Sequence, residues 1–233
     1  MSRKSIQILA YHGWGFDKSL WYPLQKEFED YVIFNLADRG YFSGPVEPSW
    51  KRDPGIKKVL LVHSYGLHWC SNKILEQADH LVMIGSFLNF HPEEKNEYKR
   101  SKLLVRKMIT QLVEAPEMVL ENFYENAFYP DEQKLEVPQA SNLNHDLLLS
   151  DLSDLDRDQR KNARVFDLNS ITIIHGAKDQ IVSNDMARNM YKKLRLRSQY
   201  FEIKNGGHVL PLTHSSKIFE ILKSLLQLEQ ENI

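Results

Sequence analysis

The chain's first chemical pattern is a serine at the end of an apolar run. In Val59-Leu60-Leu61-Val62-His63-Ser64-Tyr65-Gly66 a glycine follows two residues after Ser64, and a helical stretch then begins. A strand that turns sharply into a helix at a serine lifts the hydroxyl above the carboxyl edge of a sheet, where a nearby base turns it into a nucleophile. The same serine would also serve as the N-cap of that helix. The usual elbow is Gly-x-Ser-x-Gly, and Val62 occupies the place of its first glycine. That substitution implies a less crowded or shifted turn.

Three further segments supply the partners a serine nucleophile needs. In Ile174-His175-Gly176-Ala177-Lys178-Asp179 an apolar run ends, a glycine breaks it, and an acid follows. Asp179 is in place to hold an imidazole in one tautomer and to stabilise its cation, although a turn aspartate is also common there. Asp185 reads instead as an acid at the start of a helix. In Ile203-Lys204-Asn205-Gly206-Gly207-His208 the glycine pair lets the imidazole of His208 swing over the sheet edge, and the alternative is an ordinary loop histidine. In Ile8-Leu9-Ala10-Tyr11-His12-Gly13-Trp14-Gly15 an apolar run enters a glycine-bracketed loop. With a serine elbow present, such a loop donates one backbone N–H to an oxyanion hole and the residue after the nucleophile donates the other. Those donors are Trp14 and Tyr65; the bland reading of the loop is a turn with an aromatic packed on it. No metal or cofactor is required by this chemistry.

Six apolar runs must position these residues: Ile6–Ala10, Tyr31–Leu36, Val59–His63, His80–Ile84, Ile171–His175 and Tyr200–Ile203. Most lack polar alternation, as expected for strands covered on both faces. Helix-like segments at Leu20–Phe28, Leu67–Gln77 and Asp185–Leu194 lie between them, and Ile218, Ile221, Leu222, Leu225 and Leu228 repeat at helical spacing near the end. Alternating strands and helices predict a mostly parallel six-stranded sheet, order 2-1-3-4-5-6, with right-handed crossovers. Residues 85–170 break the rhythm, with helical patterns over Glu93–Ala127 and Leu147–Ala163 and a loop over Asp131–Pro138. A structureless loop of that length is improbable. The expectation is one α/β domain over residues 1–233 with a helical cap inserted at about 91–165. Phe42–Gly55, with three prolines and two glycines, reads as an irregular loop.

Composition narrows the partners. The chain has 233 residues, 42% hydrophobic and 26% charged, with a net charge of −1. Nothing in that balance pulls toward nucleic acid or an anionic membrane. The single cysteine, Cys70, allows no internal disulfide. Met1–Gln7 is polar and lacks the apolar stretch of a secretory leader, and no run is long enough for a membrane helix. A soluble, cytoplasmic monomer is expected.

Serine, then aspartate, then histidine is the chain order of α/β-hydrolases, and each segment falls at the end of a predicted strand. Within that fold, His12-Gly13-Trp14-Gly15 followed by Trp21 resembles the pimeloyl-acyl-carrier-protein methyl ester esterases of biotin synthesis. Ile84-Gly85-Ser86-Phe87-Leu88-Asn89-Phe90 is similar to a serine- and phenylalanine-bearing turn of that family, and Leu147–Arg157 is similar to the end of its cap. The elbow departs from it: the family has Gly-Trp-Ser-x-Gly-Gly, and this chain has Val-His-Ser-Tyr-Gly-Leu. The resemblance implies Ser64, Asp179 and His208 as the triad, Trp14 and Tyr65 as the oxyanion residues, and hydrolysis of a methyl ester on a carrier-bound pimeloyl chain.

A long acyl chain needs an apolar channel under the cap. Trp14, Phe87, Phe90, Phe123, Tyr124 and Phe128 are candidates, each with core packing as the plain alternative. An acidic acyl-carrier protein needs a basic dock, and Lys95, Lys99, Arg100, Lys102, Arg106 and Lys107 cluster on one predicted helix. Positions 95, 99, 102 and 106 follow helical spacing along one face, which could equally be a solvated surface. Two other classes stay open. One is another carboxylesterase, thioesterase or lactone hydrolase of the same fold, and the other is a non-catalytic binding protein with a degraded elbow, which Val62 favours.

Overall fold

The computed structural model describes residues 4–132, 136, 139–157 and 162–228. Six strands form one sheet: β1 (Ile6–Tyr11), β2 (Ile33–Leu36), β3 (Lys57–His63), β4 (His80–Ile84), β5 (Ile171–Gly176) and β6 (Ser198–Ile203). All pair in parallel, in the order β2-β1-β3-β4-β5-β6. This is the order expected from the sequence.

The apolar runs form strands because both faces are covered. Ile8, Ala10, Val59, Leu61, Val82, Ile84 and Ile174 face one layer, with Leu24, Phe28, Ile218 and Leu222 from the helices packed on them. Leu9, Tyr11, Leu60, Val62, Leu81, Met83 and Ile173 face the other, under Leu67, Leu75, Met190 and Leu194. Neighbours along a strand point to opposite faces, so a run such as Leu60-Leu61-Val62 feeds two cores at once.

The helices are α1 (Tyr22–Glu27), α2 (Gly66–Trp69), α3 (Asn72–Glu76), α4 (Lys95–Glu114), α5 (Pro116–Phe128), α6 (His145–Arg157), α7 (Asn184–Leu194), α8 (Leu210–Thr213) and α9 (Ser215–Leu226). Several expected helices are broken. Leu67–Gln77 divides at Cys70, whose backbone is extended, and Ser71 restarts the helix by accepting a hydrogen bond from Ile74 N–H. Glu93–Ala127 divides at Ala115 (φ −146°, ψ 70°), because Pro116 cannot donate to a continuing helix. The first turn of Leu20–Phe28 is a tighter 3₁₀ turn, Lys18–Trp21. Strand β2 begins at Ile33 rather than Tyr31, since the N–H groups of Tyr31 and Val32 still turn back to Phe28 O.

Helices α4, α5 and α6 are inserted between β4 and β5, above the carboxyl edge of the sheet. The expected helix at Leu147–Ala163 starts earlier, at His145, and is described as far as Arg157; Asn162–Asp167 form a 3₁₀ turn. Of the expected loop Asp131–Pro138, residues 133–135, 137 and 138 lie outside the described residues, as do 158–161. A third apolar cluster joins the insertion to the sheet edge through Trp14, Tyr65, Phe87, Leu112, Leu120 and Leu148. Among the described residues no helix is long and apolar enough to cross a membrane.

Candidate active site

Ser64 directly follows β3 with φ at 51°, the left-handed region that a side chain adopts only under constraint. The constraint is visible on both sides of the peptide. Ser64 N–H donates to Ile84 O at 3.1 Å, and Ser64 O accepts from Ser86 Oγ at 2.7 Å. The turn also needs bare backbone nearby: a Cβ on Gly66 would stand 2.2 Å from Tyr11 O, and one on Gly13 would stand 2.7 Å from Ser64 Cβ. Val62, in place of the usual first glycine, is fully buried in the sheet core. Close approach at this elbow therefore comes from Gly66 and from Gly13 on the facing loop.

Asp179 lies in the turn after β5. Its Oδ1 accepts from the N–H groups of Ile181 (2.8 Å) and Val182 (2.9 Å), and its Oδ2 lies 2.8 Å from Nδ1 of His208. Burial opposes the charge, but the adjacent His208, that hydrogen bond and His175 together hold the carboxyl below its usual range. Asp185 sits in the first turn of α7.

His208 is fully buried. Its N–H donates to Ala127 O near the end of α5 at 3.2 Å. Gly207 must be bare, because a Cβ there would stand 1.9 Å from Tyr129 O. With Nδ1 donating to Asp179, Nε2 carries the lone pair. Nε2 is buried with no hydrogen-bond partner among the described residues, so Ser64 Oγ and His208 are not hydrogen-bonded here.

His63, directly before Ser64, is a residue that sequence reasoning passed over. Its Nε2 lies 3.1 Å from His208 O and its ring centroid 4.8 Å from that of His208. Burial first, and then the neighbouring His208, push its pKa well below the usual value. A neutral ring donating from Nε2 therefore ties the elbow to the His208 loop. Nothing in the sequence separates this histidine from a simple strand-end residue, because its partner is a backbone oxygen 145 positions away.

A cavity of about 710 Å³ opens over Ser64. Trp14, Tyr65, Phe87, Phe90 and Phe123 line it, with Leu104, Met108, Val119, Leu152 and Leu155 from the insertion. Tyr124 and Phe128 are not on its wall. They pack toward the sheet, where Tyr124 Oη donates to Gly15 O at 2.6 Å. Trp14 is pinned by its indole N–H, which donates to Leu148 O at 2.8 Å.

The basic residues of α4 divide into two groups. Lys102 Nζ lies 2.9 Å from Asp156 Oδ2 on α6, and Arg106 Nε lies 3.6 Å from the same oxygen. Both join two helices of the insertion; Lys102 is largely covered there, whereas Arg106 stays exposed. Lys95, Lys99 and Lys107 are exposed, and Arg100 borders the cavity. Among the described residues no His, Cys, Asp or Glu side chains group as metal ligands.

No family model matches the chain, and no curated protein sequence matches it. Solved structures do. An esterase from Exiguobacterium antarcticum superposes with a TM-score of 0.72 at 17% identity, over 95% of this chain and 91% of that one. MenH from S. aureus gives 0.71 at 16% identity, over 97% and 95%. A bromoperoxidase from Bacillus anthracis gives 0.71 at 17%, over 97% and 92%. The chain has the α/β-hydrolase fold. The different names of these neighbours illustrate that the fold alone does not choose the reaction.

Proposed function

We propose that this protein is a serine carboxylesterase. One observation carries the reading: an imidazole whose Nδ1 is committed to a buried, doubly anchored carboxylate keeps a buried, unpartnered Nε2, and that carboxylate and a positive-φ serine border the same largely apolar cavity. In the proposed reaction His208 Nε2 takes the proton of Ser64 as its oxygen attacks the ester carbonyl. The N–H groups of Trp14 and Tyr65 hold the tetrahedral oxyanion; one such donor contributes about 2.7–4 kcal/mol to lowering the barrier. The C–O bond to the alcohol breaks, and the alcohol leaves with the proton from His208. A water then attacks the acyl-enzyme, passes its proton through His208, and the acid departs as Ser64 regains its hydrogen. The reading requires the Ser64–His208 hydrogen bond to form once a carbonyl is seated against the serine, as catalytic hydrogen bonds often close only in the substrate complex.

The finer reading is that the ester is the methyl ester of a pimeloyl chain on an acyl-carrier protein, with methanol as the leaving group. Its support is the His12-Gly13-Trp14-Gly15 loop, a cavity of about 710 Å³ walled mainly by apolar side chains, and exposed Lys95, Lys99 and Lys107 on the helix that roofs it. The test compares p-nitrophenyl esters of increasing chain length with methyl pimeloyl-carrier protein. Turnover of the carrier substrate that falls steeply with salt, beside salt-insensitive turnover of the small esters, supports carrier docking. Rescue of biotin-free growth in a strain lacking its methyl esterase, lost with Ser64→Ala, supports the substrate. Turnover of small esters alone leaves a general carboxylesterase.

A second reading, a hydrolase-like binding protein, is favoured by the lack of a hydrogen bond between Ser64 and His208. It requires a well-folded protein that no serine-directed probe labels.

A further inference from the structure

Asp151 of α6 is a carboxylate buried to 2% exposure. Both its oxygens are engaged by one guanidinium: Arg39 Nε reaches Oδ2 and Nη2 reaches Oδ1, each at 2.7 Å. Tyr41 Oη donates to Oδ2, also at 2.7 Å. A two-pronged Arg–carboxylate contact fixes orientation as well as distance, which apolar packing does not.

What this fork orients is the loop that carries Trp14. The backbone N–H of Arg39 donates to Nε2 of buried His12 at 2.9 Å, so the His12 proton sits on Nδ1, which donates to Gly13 O at 2.9 Å. The Arg39 guanidinium lies over the Trp69 ring, 5.9 Å from its centroid, and Trp69 Nε1 donates to His12 O at 2.7 Å. From the other side, Leu148, one helical turn before Asp151, accepts the Trp14 indole N–H at 2.8 Å. The contacts close a ring: α6, Asp151, Arg39, His12, Gly13, Trp14 and back to α6. Leu152 and Leu155 of the same helix line the cavity.

We infer that Asp151, acting through Arg39 and His12, is a positioning residue that sets where the Trp14 N–H points, and so couples the inserted helices to the oxyanion hole. The inference rests on the esterase reading and on Trp14 as an oxyanion donor. Arg39 and Asp151 touch no reacting atom; their work is to hold the loop in register with Ser64. A misplacement of about 1 Å at such a donor lowers turnover by roughly 100-fold.

The experiment must separate positioning from stability. Asp151→Leu leaves Arg39 and the buried Tyr41 hydroxyl unpaired and destabilises the fold, whereas the triple variant Arg39→Met/Asp151→Leu/Tyr41→Phe, in which no hydroxyl is orphaned, replaces the network with apolar side chains, which commonly restores stability. We expect the triple variant to melt within a few degrees of wild type. Its kcat should stay roughly 10- to 100-fold low with KM nearly unchanged, and its affinity for a trifluoromethyl ketone, which forms the oxyanion, should fall in step. Recovery of kcat together with stability overturns the inference and leaves the esterase reading intact. If the triple variant does not fold, Asp151→Asn is read the same way: a fall in kcat at wild-type melting supports the inference and an unchanged kcat overturns it. A wild-type protein that neither turns over esters nor binds the ketone overturns the esterase reading, and the inference with it.

Discussion

Asp179 Oδ2 stands 2.8 Å from Nδ1 of His208, while the other carboxylate oxygen is held by two backbone N–H groups. The acid therefore cannot rotate away without losing three hydrogen bonds, and the imidazole it holds presents a lone pair at Nε2. Asp179→Asn keeps the shape but can donate from its amide to Nδ1, which would move the proton to Nε2. On the esterase reading, kcat on a p-nitrophenyl ester should fall on the order of 10⁴-fold, with melting temperature little changed. A fall of less than about tenfold would contradict the assigned tautomer.

Gly13 faces the elbow so closely that a methyl group would lie 2.7 Å from Ser64 Cβ. Gly13→Ala should push the loop off the serine and reduce kcat/KM by roughly 100-fold or more. Gly44→Ala is the control, since nothing lies within 4 Å of a Cβ there. Equal activity of the two variants would count against close approach as the reason for glycine at position 13.

His80 is buried at the start of β4, with its ring nitrogens at 2.7 Å from Ser170 Oγ and 2.9 Å from Thr172 Oγ1. Burial, and then the nearby positive charge of Lys57, push its pKa down to about 4. The unfolded chain, with a histidine pKa of ~6.5, then binds the proton first. Stability from this group is complete above about pH 6.5 and is lost as pH falls toward the folded value, about 2 kcal/mol between pH 7 and pH 5. Urea unfolding of wild type and His80→Gln at the two pH values should show the variant losing less by about that amount. Parallel losses would mean that His80 is not held neutral.

The two groups of basic residues on α4 should behave differently. Lys102 faces Asp156 of α6 at 2.9 Å, so Lys102→Ala should lower the melting temperature by a few degrees and leave the salt dependence of carrier-substrate turnover as it was. Lys99→Glu, on an exposed position, should leave melting alone and weaken carrier-substrate turnover a few-fold at low salt. Identical salt profiles for wild type and Lys99→Glu would remove this helix as a docking face.

The sheet order and the meeting of Asp179 with His208 were legible in the sequence for one physical reason. A parallel sheet carries its site residues at strand ends, so unbroken apolar runs mark the frame and the residues after them mark the rim. The inserted helices were legible only as helical patterns. Which of their faces meets the cavity depends on how they cross the sheet edge, and no local spacing records that. Tyr124 and Phe128 share a helix with Phe123, yet only Phe123 reaches the cavity. Lys102 repeats with Lys95 and Lys99 at helical spacing, but Asp156, on a helix distant in sequence, draws it inward, while Arg106 reaches the same carboxylate from an exposed position. Arg39 and Asp151 are 112 residues apart, and neither has a local signature. Contacts of that kind are created by the insertion's docking.

The proposed esterase chemistry requires an activated hydroxyl at Ser64. Incubation of wild type and Ser64→Ala with a fluorophosphonate, read by intact mass and peptide mapping, tests it most directly. The expected result is one adduct per chain, on Ser64, absent from the variant and strongly slowed in Asp179→Asn. A folded wild type that stays unlabelled, or one labelled equally after Ser64→Ala, would contradict it.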